Sequence, residues 1–480
     1  MNRFRPLSLA FAALALSGCA SSSSQPPPAA DAAADPSQYT PKGCAYTTAF
    51  AEDRGSGYSF DSPTLGAAPS PKRIRAGLGG SLDSTSPSYA NPSTSVAFAW
   101  DTDVDTLASR LRYGNAPDKL ESETTGDSYV LPGSWPQRVH QVHLCGLQPD
   151  TTYYYQVGGG PSGQEAWSDV RSITTFKPSG VPARITIGVA GDSRDSPDVI
   201  WPMVQARFAE LDVTFQLFSG DTVVLSTNDV AKYYARWYDK IEEAGNLGTK
   251  LMLPVGGNHE KMTLSWLSYM PAPGSGPTSG LFYSFDVGSA HFVLLDDQPL
   301  SLNVANPPNV RADMLAWLDA DLTAANARRD KVPFIIVMHH RGELSTSEHS
   351  VDSDVASMRQ LLMPVWDQHK VDVVLNGHDH NYERSKPVRG TWGALSIQPD
   401  PTQGTTYIVC AGAGADAYAP GSTPADWRAI NVGYDTGIYV GVYGWLELDD
   451  RKLTWKAWGL NKNTTQVSGD TLIDQFELQK

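Results

Sequence analysis

VDVVLNGHDHNYERS, residues 371–385, begins as an apolar run and ends in polar groups. The run from Val371 to Leu375 reads as a buried strand. Asn376-Gly377 stops it with a turn signal. His378 and His380 follow at once, separated only by Asp379. Neutral imidazole is the commonest metal ligand, and a pair on one turn is harder to explain by packing than a lone histidine. The meaning of the pair depends on what stands at the ends of other strands.

From about residue 183 apolar runs alternate with segments of helical spacing, the pattern of an α/β domain. RITIGVAGD, VTFQLFSGD, KLMLPVGGNHE, AHFVLLDD and PFIIVMHH read as strands, and DVIWPMVQARFAEL, DVAKYYARWYDKIEEAG and RADMLAWLDADLTAANARR as helices. Polar residues collect where several of these strands end: Asp192 in GDSR, Asp221 in GDTV, Asn258 and His259 in GNHE, His339 and His340 in MHH, then GHDH. In α/β sheets ligands bind at that edge. Glycines 191, 220, 257 and 377 allow sharp turns or close approach there. Such a mixed oxygen and nitrogen set suits two metal ions roughly 3.5–4 Å apart, bridged by one carboxylate. His378 and His380 then reach different ions from one turn.

The order of these motifs resembles the calcineurin-like metallophosphoesterases, and GHDHNYER resembles the GHxHxYER motif of the purple acid phosphatase branch. The resemblance covers about residues 72–478 and implies a two-sheet β-sandwich flanked by helices over 183–480. It implies that Asp221 bridges both metals, that Asp192 and His380 complete the first site, and that Asn258, His378 and one histidine of VMHHRG complete the second. The family pattern HxP is absent there. His339 is aligned as the ligand, with His340 near the substrate. His259 corresponds to a residue that orients phosphate or protonates the leaving alcohol, with Glu260 supporting it. Two positions depart from the pattern. Val224 stands where the purple enzymes have a tyrosine that binds ferric iron. Arg194 stands where other relatives have the histidine of D-x-H, and its guanidinium suits a phosphate oxygen. The first site is thus one protein ligand short, the metals are left open among Fe, Zn and Mn, and a colourless protein is expected. The implied activity is hydrolysis of a small phosphate monoester by metal-activated hydroxide at a dinuclear centre, with His259, His340 and Arg194 as catalytic groups. A phosphodiesterase or nucleotidase on the same centre is the alternative. A non-catalytic cell-surface binding protein is the reading outside enzymes. His140, His143 and His291 fall inside strands and read as structural.

The rest of the chain sets the context. At 480 residues it should hold two or three domains, and a net charge of −15 argues against a nucleic-acid partner. Arg3 and Arg5 precede an apolar run from Pro6 to Leu16 that ends in LSGC. This looks like a bacterial lipobox: residues 1–19 are the expected signal peptide, Cys19 the lipidated residue, and the exported protein is anchored on a membrane in the periplasm or at the cell surface. A disordered Ser/Pro/Ala-rich tether is expected over 20–71. Alternating segments over 72–177 read as a small all-β sandwich, and VHLCGLQPDTTYYYQVG resembles the fibronectin type III pattern. Cys44, Cys145 and Cys410 leave one disulfide and one free thiol open, in any pairing. Oligomeric state is not legible.

Overall fold

In the computed structural model the described residues are 38–480, apart from 47, 50–58, 61, 81–88, 131–136, 197, 224–233, 261–270, 274–280, 302–308, 391–396, 423–424, 436 and 438. The lipobox with Cys19, and Val224, lie outside them.

The apolar runs form two large sheets face to face. In the first, three parallel strands lie side by side: Ile185–Ala190, Phe215–Phe218 and Leu251–Pro254. The antiparallel strands Gly441–Asp449, Lys452–Leu460 and Thr471–Gln479 extend it. The second sheet centres on the parallel strands Ala290–Leu295, Phe334–Arg341, Val373–Gly377 and Thr406–Cys410. Alternation along each strand sends side chains to opposite faces. Ile187, Val189, Phe215 and Leu217 of one sheet therefore share a core with Phe285, Phe292, Ile336 and Met338 of the other. The Phe215 ring meets Phe292 edge-on at 5.6 Å between centroids. The outer faces carry helices. Ile200–Glu210 covers the first sheet through Trp201, Val204 and Phe208. Val310–Asn326, Ser353–Leu361 and Met363–His369 cover the second through Met314, Leu318, Met358 and Trp366. Of the helix expected from DVAKYYARWYDKIEEAG, the described part is a π-turn, Tyr234–Tyr238, running into Asp239–Glu243.

The N-terminal β region adds to both sheets. Lys72–Leu78 pairs with Leu251–Pro254 at Ala76, continuing the first sheet into Ser95–Asp103 and Gln137–Cys145. Tyr89–Ala90 pairs with Phe282–Val287 at the edge of the second. A separate sheet with Arg110–Gly114 and Thr152–Gly159 closes this region. Bridges fix the two regions together: Tyr155 donates to the Gly248 carbonyl at 2.5 Å, and Arg171 reaches Glu242 at 2.8 Å.

The tether expected over 20–71 is shortened from its far end. Cys44 is disulfide-bonded to Cys145, Tyr46 is buried with its hydroxyl 2.7 Å from His143 Nδ1, and Ser59–Phe60 pairs with Asp127–Val130. A crosslink and a buried aromatic ring outweigh the loop-like composition around them. Among the described residues Cys410 is the free thiol, and it is buried. His140, between Thr102 and Ser109, and His291, between Asp286 and Asp321, are buried with both ring nitrogens engaged. No described helix is long and apolar enough to cross a membrane.

Candidate metal centre

The carboxyl ends of the parallel strands of both sheets converge on one place. Asp192, Asp221 and Asn258 follow three neighbouring strands of the first sheet, while His340, His378 and His380 come from two neighbouring strands of the second. The turns are strained. Asp192 and Asp221 each adopt φ of +57°, and His378 adopts +73°. For residues other than glycine this conformation costs about 1–3 kcal/mol each, and it clusters at functional sites. The glycines beside them serve close approach. A Cβ on Gly257 would collide with Asp221 Oδ1, and one on Gly377 with Asp192 Oδ2.

Glu260 ties two of these turns together. Its buried carboxylate accepts N–H bonds from Asp221 (2.9 Å), Thr222 (2.8 Å) and Gly257 (2.7 Å). It was expected to support His259. Its hydrogen bonds instead fix the loop that aims Asp221. Burial and the nearby Asp221 charge push the Glu260 carboxyl up, and the donors offset part of that.

The donor atoms fit a cation. His340 Nδ1 lies 2.7 Å from the Ser219 carbonyl, which only accepts, so the proton sits on Nδ1. Nε2 then faces Asn258 Oδ1 at 2.8 Å and Asp221 Oδ1 at 3.4 Å. His378 Nδ1 points at the same Asn258 Oδ1 from 2.9 Å. His380 repeats the device: Nδ1 lies 2.7 Å from the Asp416 carbonyl, and Nε2 lies 3.6 Å from Asp192 Oδ1. A carbonyl behind one ring nitrogen fixes the tautomer and frees the other for a metal. Potential ligand atoms of Asp192, Asp221 and His340 all lie within 4.8 Å of one another. Burial lowers the His340 imidazole, but Asp221 and Asp192 pull it further up, to about 10. Positive charge is wanted at Nε2, and a metal ion can supply it in place of a proton.

His339 corrects the sequence reading. It was aligned as the ligand of the second site, and His340 as a group near the substrate. His339 instead lies buried on the far face, its Nδ1 3.2 Å from Asp297 Oδ2 and its Nε2 3.2 Å from Glu343 Oε1. Parity is the reason. His340 follows Ile336 and Met338 on the face between the sheets, whereas His339 follows Ile335 and Val337 on the helix-covered face. Arg341 donates its backbone N–H to Asp297 at 2.6 Å, so this buried cluster braces the strand from behind.

His259 and Arg194 do come to the centre. His259 Nε2 stands 3.8 Å from Asp221 Oδ2, and its backbone N–H donates to Asp221 Oδ1 at 2.9 Å. Arg194 Nη1 donates to His259 Nε2 at 2.6 Å, and its Nη2 to the Tyr418 hydroxyl at 3.1 Å.

Sequence reasoning missed Tyr418 and His349. The Tyr418 ring stacks on His380 at 4.0 Å. The His349 ring stacks on His378 at 4.2 Å, with Nδ1 2.7 Å from Asp352 Oδ2 and Nε2 3.4 Å from the Tyr418 hydroxyl. Tyr418 lies in an irregular segment and His349 in a single 3-10 turn, Glu348–Val351, too short for any period to mark a facing side chain; a further histidine shortly after His340 was the one available sign. The rest of GHDHNYER holds this rim. Asp379 accepts the His349 N–H at 2.9 Å, Glu383 accepts the Thr346 N–H at 2.9 Å, and Tyr382 and Arg384 both bind Asp474 at 2.6 Å.

Comparison with known proteins finds relatives for both regions of the chain. The purple acid phosphatase N-terminal domain matches residues 83–175, and the calcineurin-like phosphoesterase family matches 185–382. Purple acid phosphatase 21 of Arabidopsis thaliana is 31% identical over 304 residues, covering 60% of this chain and 63% of that protein. An uncharacterised Mycobacterium tuberculosis protein is 27% identical over 373 residues, 68% of each chain. Among solved structures, a purple acid phosphatase from yellow lupin superposes with a TM-score of 0.67 at 16% identity, over 86% of this chain and 74% of that one. Residues 83–175 thus match a purple acid phosphatase N-terminal domain and residues 185–382 a calcineurin-like phosphoesterase domain, and these similarities indicate a phosphoric ester hydrolase.

Proposed function

We propose that the enzyme hydrolyses phosphate monoesters at a dinuclear centre, with Asp221 as the shared ligand, Asp192 and His380 on one ion, and Asn258, His340 and His378 on the other. The observation that carries this is the convergence of imidazole nitrogens on oxygens that cannot donate: His340 Nε2 and His378 Nδ1 on Asn258 Oδ1, and His380 Nε2 on Asp192. Divalent ions bound there would polarise phosphoryl oxygens and acidify water.

The chain's own groups do the remaining work. Arg194 and His259 stand beside the carboxylate shared by the two sites, where negative charge builds on the phosphoryl oxygens in the transition state. His259 Nε2 accepts from Arg194, which keeps its proton on Nδ1 and leaves it a poor acid at Nε2. His349 is better placed for proton transfer. Asp352 accepts from Nδ1 and so orients the ring, and Nε2 faces the rim. In the reaction a P–O bond forms to the water oxygen, the P–O bond to the alcohol breaks, and the alcohol oxygen takes a proton from His349. That proton is restored from the attacking water by way of solvent.

Metal analysis combined with p-nitrophenyl phosphate and bis(p-nitrophenyl) phosphate tests this reading. Two metal ions per chain and a higher kcat/KM on the monoester are expected. Stoichiometric metal with preference for the diester would move the enzyme to the phosphodiesterases, and purification without metal would end the catalytic reading. The loaded protein should lack a strong visible band, because Val224 supplies no phenolate.

A further inference from the structure

Arg194 spans the two halves of the centre. One end of its guanidinium donates to His259, which leans on Asp221, and the other to Tyr418, which stacks on His380. The side chain is 17% exposed, so it is held in place rather than waving in solvent. Asp195, Asp221 and Asp192 favour its charge, yet no carboxylate grips it in a hydrogen-bonded fork. Buried Arg75 grips Asp101 with two N–H groups at 2.9 and 3.1 Å, and buried Arg207 grips Asp470 at 2.8 and 3.1 Å. Arg194 has no such fork. Its nearest carboxylate, Asp195, lies 3.5 Å from Nε, and Nε makes no hydrogen bond. Asp195 Oδ2 is itself taken by the Asp416 N–H at 3.0 Å. The two hydrogen bonds of the guanidinium go to an imidazole nitrogen and a phenol hydroxyl rather than to a carboxylate, and Nε is left for an anion.

We propose that Arg194 sets the substrate class by reading the second negative charge of a phosphate monoester, with Tyr418 as the residue that positions it. The proposal rests on the phosphoesterase reading above. A monoester is close to a dianion at neutral pH, since its second pKa is about 6. A diester carries one charge. Coulomb attraction to a fixed cation scales with that charge, so the guanidinium favours the dianion. Its planar fork also matches paired terminal phosphoryl oxygens, of which a monoester has three and a diester two.

Arg194→Gln, Arg194→Lys and Tyr418→Phe, each with metal content and thermal midpoint measured, test the assignment on the two p-nitrophenyl substrates. Arg194→Gln should lower kcat/KM for the monoester by roughly 100-fold and for the diester by less than about tenfold. It should also weaken inorganic phosphate binding, read by calorimetry on the metal-loaded protein. Arg194→Lys should recover part of both, because charge persists without the fork. Tyr418→Phe should raise KM for the monoester more than it lowers kcat. Equal losses on both esters with metal retained, or unchanged phosphate affinity, would overturn the assignment while leaving the hydrolase reading intact. Loss of metal from Arg194→Gln would also overturn it, since Arg194 would then hold the centre together. A metal-loaded wild type that cleaves neither ester would remove the phosphoesterase reading itself.

Discussion

At the scale of single residues, adjacent histidines face opposite ways, one toward the candidate centre and one into a buried bracing cluster. His340 faces Asn258 and Asp221, while His339 sits between Asp297 and Glu343. Their alanine variants should therefore fail differently. His340→Ala should weaken metal binding at least about 100-fold and abolish turnover. His339→Ala should keep the metal stoichiometry but lose about 3–5 kcal/mol of stability, because buried Asp297 and Glu343 lose a shared partner. Metal analysis and denaturant unfolding on both variants check this. Metal loss from His339→Ala alone would restore the alignment read from the sequence. MHH could not decide the matter, since it names two candidates one residue apart and a strand turns only one of them toward each face.

Elements add what residues cannot: loops that meet. Gly257 and Asp221 come from different strand ends, yet the glycine leaves room for the carboxylate. Gly257→Ala should displace Asp221 and cut kcat by about 100-fold, the order expected for a misplacement near 1 Å, while the sheets remain intact. Turnover, metal stoichiometry and circular dichroism measured together check it; wild-type turnover would mean that the loop yields freely. The strand ends were legible because buried parallel strands are continuous apolar runs closed by glycine turns. The loop of Thr346 and His349 was not legible, because hydrogen bonds from distant Glu383 and Asp379 shape it.

For the whole molecule, a buried ion-pair cluster of the scaffold makes stability depend on pH. Burial pushes the His291 imidazole down, but Asp321 and Asp286 pull it further up, to about 9 from an ordinary 6.5. Burial pushes Asp286 up, yet His291 and Arg328 hold it well below the usual carboxylate range. A raised histidine pKa in the folded state stabilises it fully below about pH 6.5. That contribution is lost as pH rises through about 9. Urea unfolding across this window should show falling stability, and His291→Gln should flatten the slope. A slope unchanged in His291→Gln would assign it to another group. The N-terminal end carries a separate proposal, lipid anchoring at Cys19. Cys19→Ala should move the protein from the membrane fraction to the soluble one with unchanged specific activity. Retention on membranes after a salt wash would remove the lipobox reading.

Local patterns along the chain are enough to read the fold class and most of the candidate centre. Periodicity, glycine turns and metal-capable side chains are local properties, and Asp192, Asp221, Asn258, His378 and His380 each lie in a short motif that carries its own signal. Tertiary structure alone decided the matters that depend on direction and distance. It turned His340 rather than His339 inward, paired Cys44 with Cys145, drew the N-terminal strands into both catalytic sheets, and brought Tyr418 and His349 to the rim. The physical reason is common to all four. Facing, pairing and edge-joining are settled by packing between segments far apart in the chain, and no local pattern encodes which face of a strand will look toward its partner.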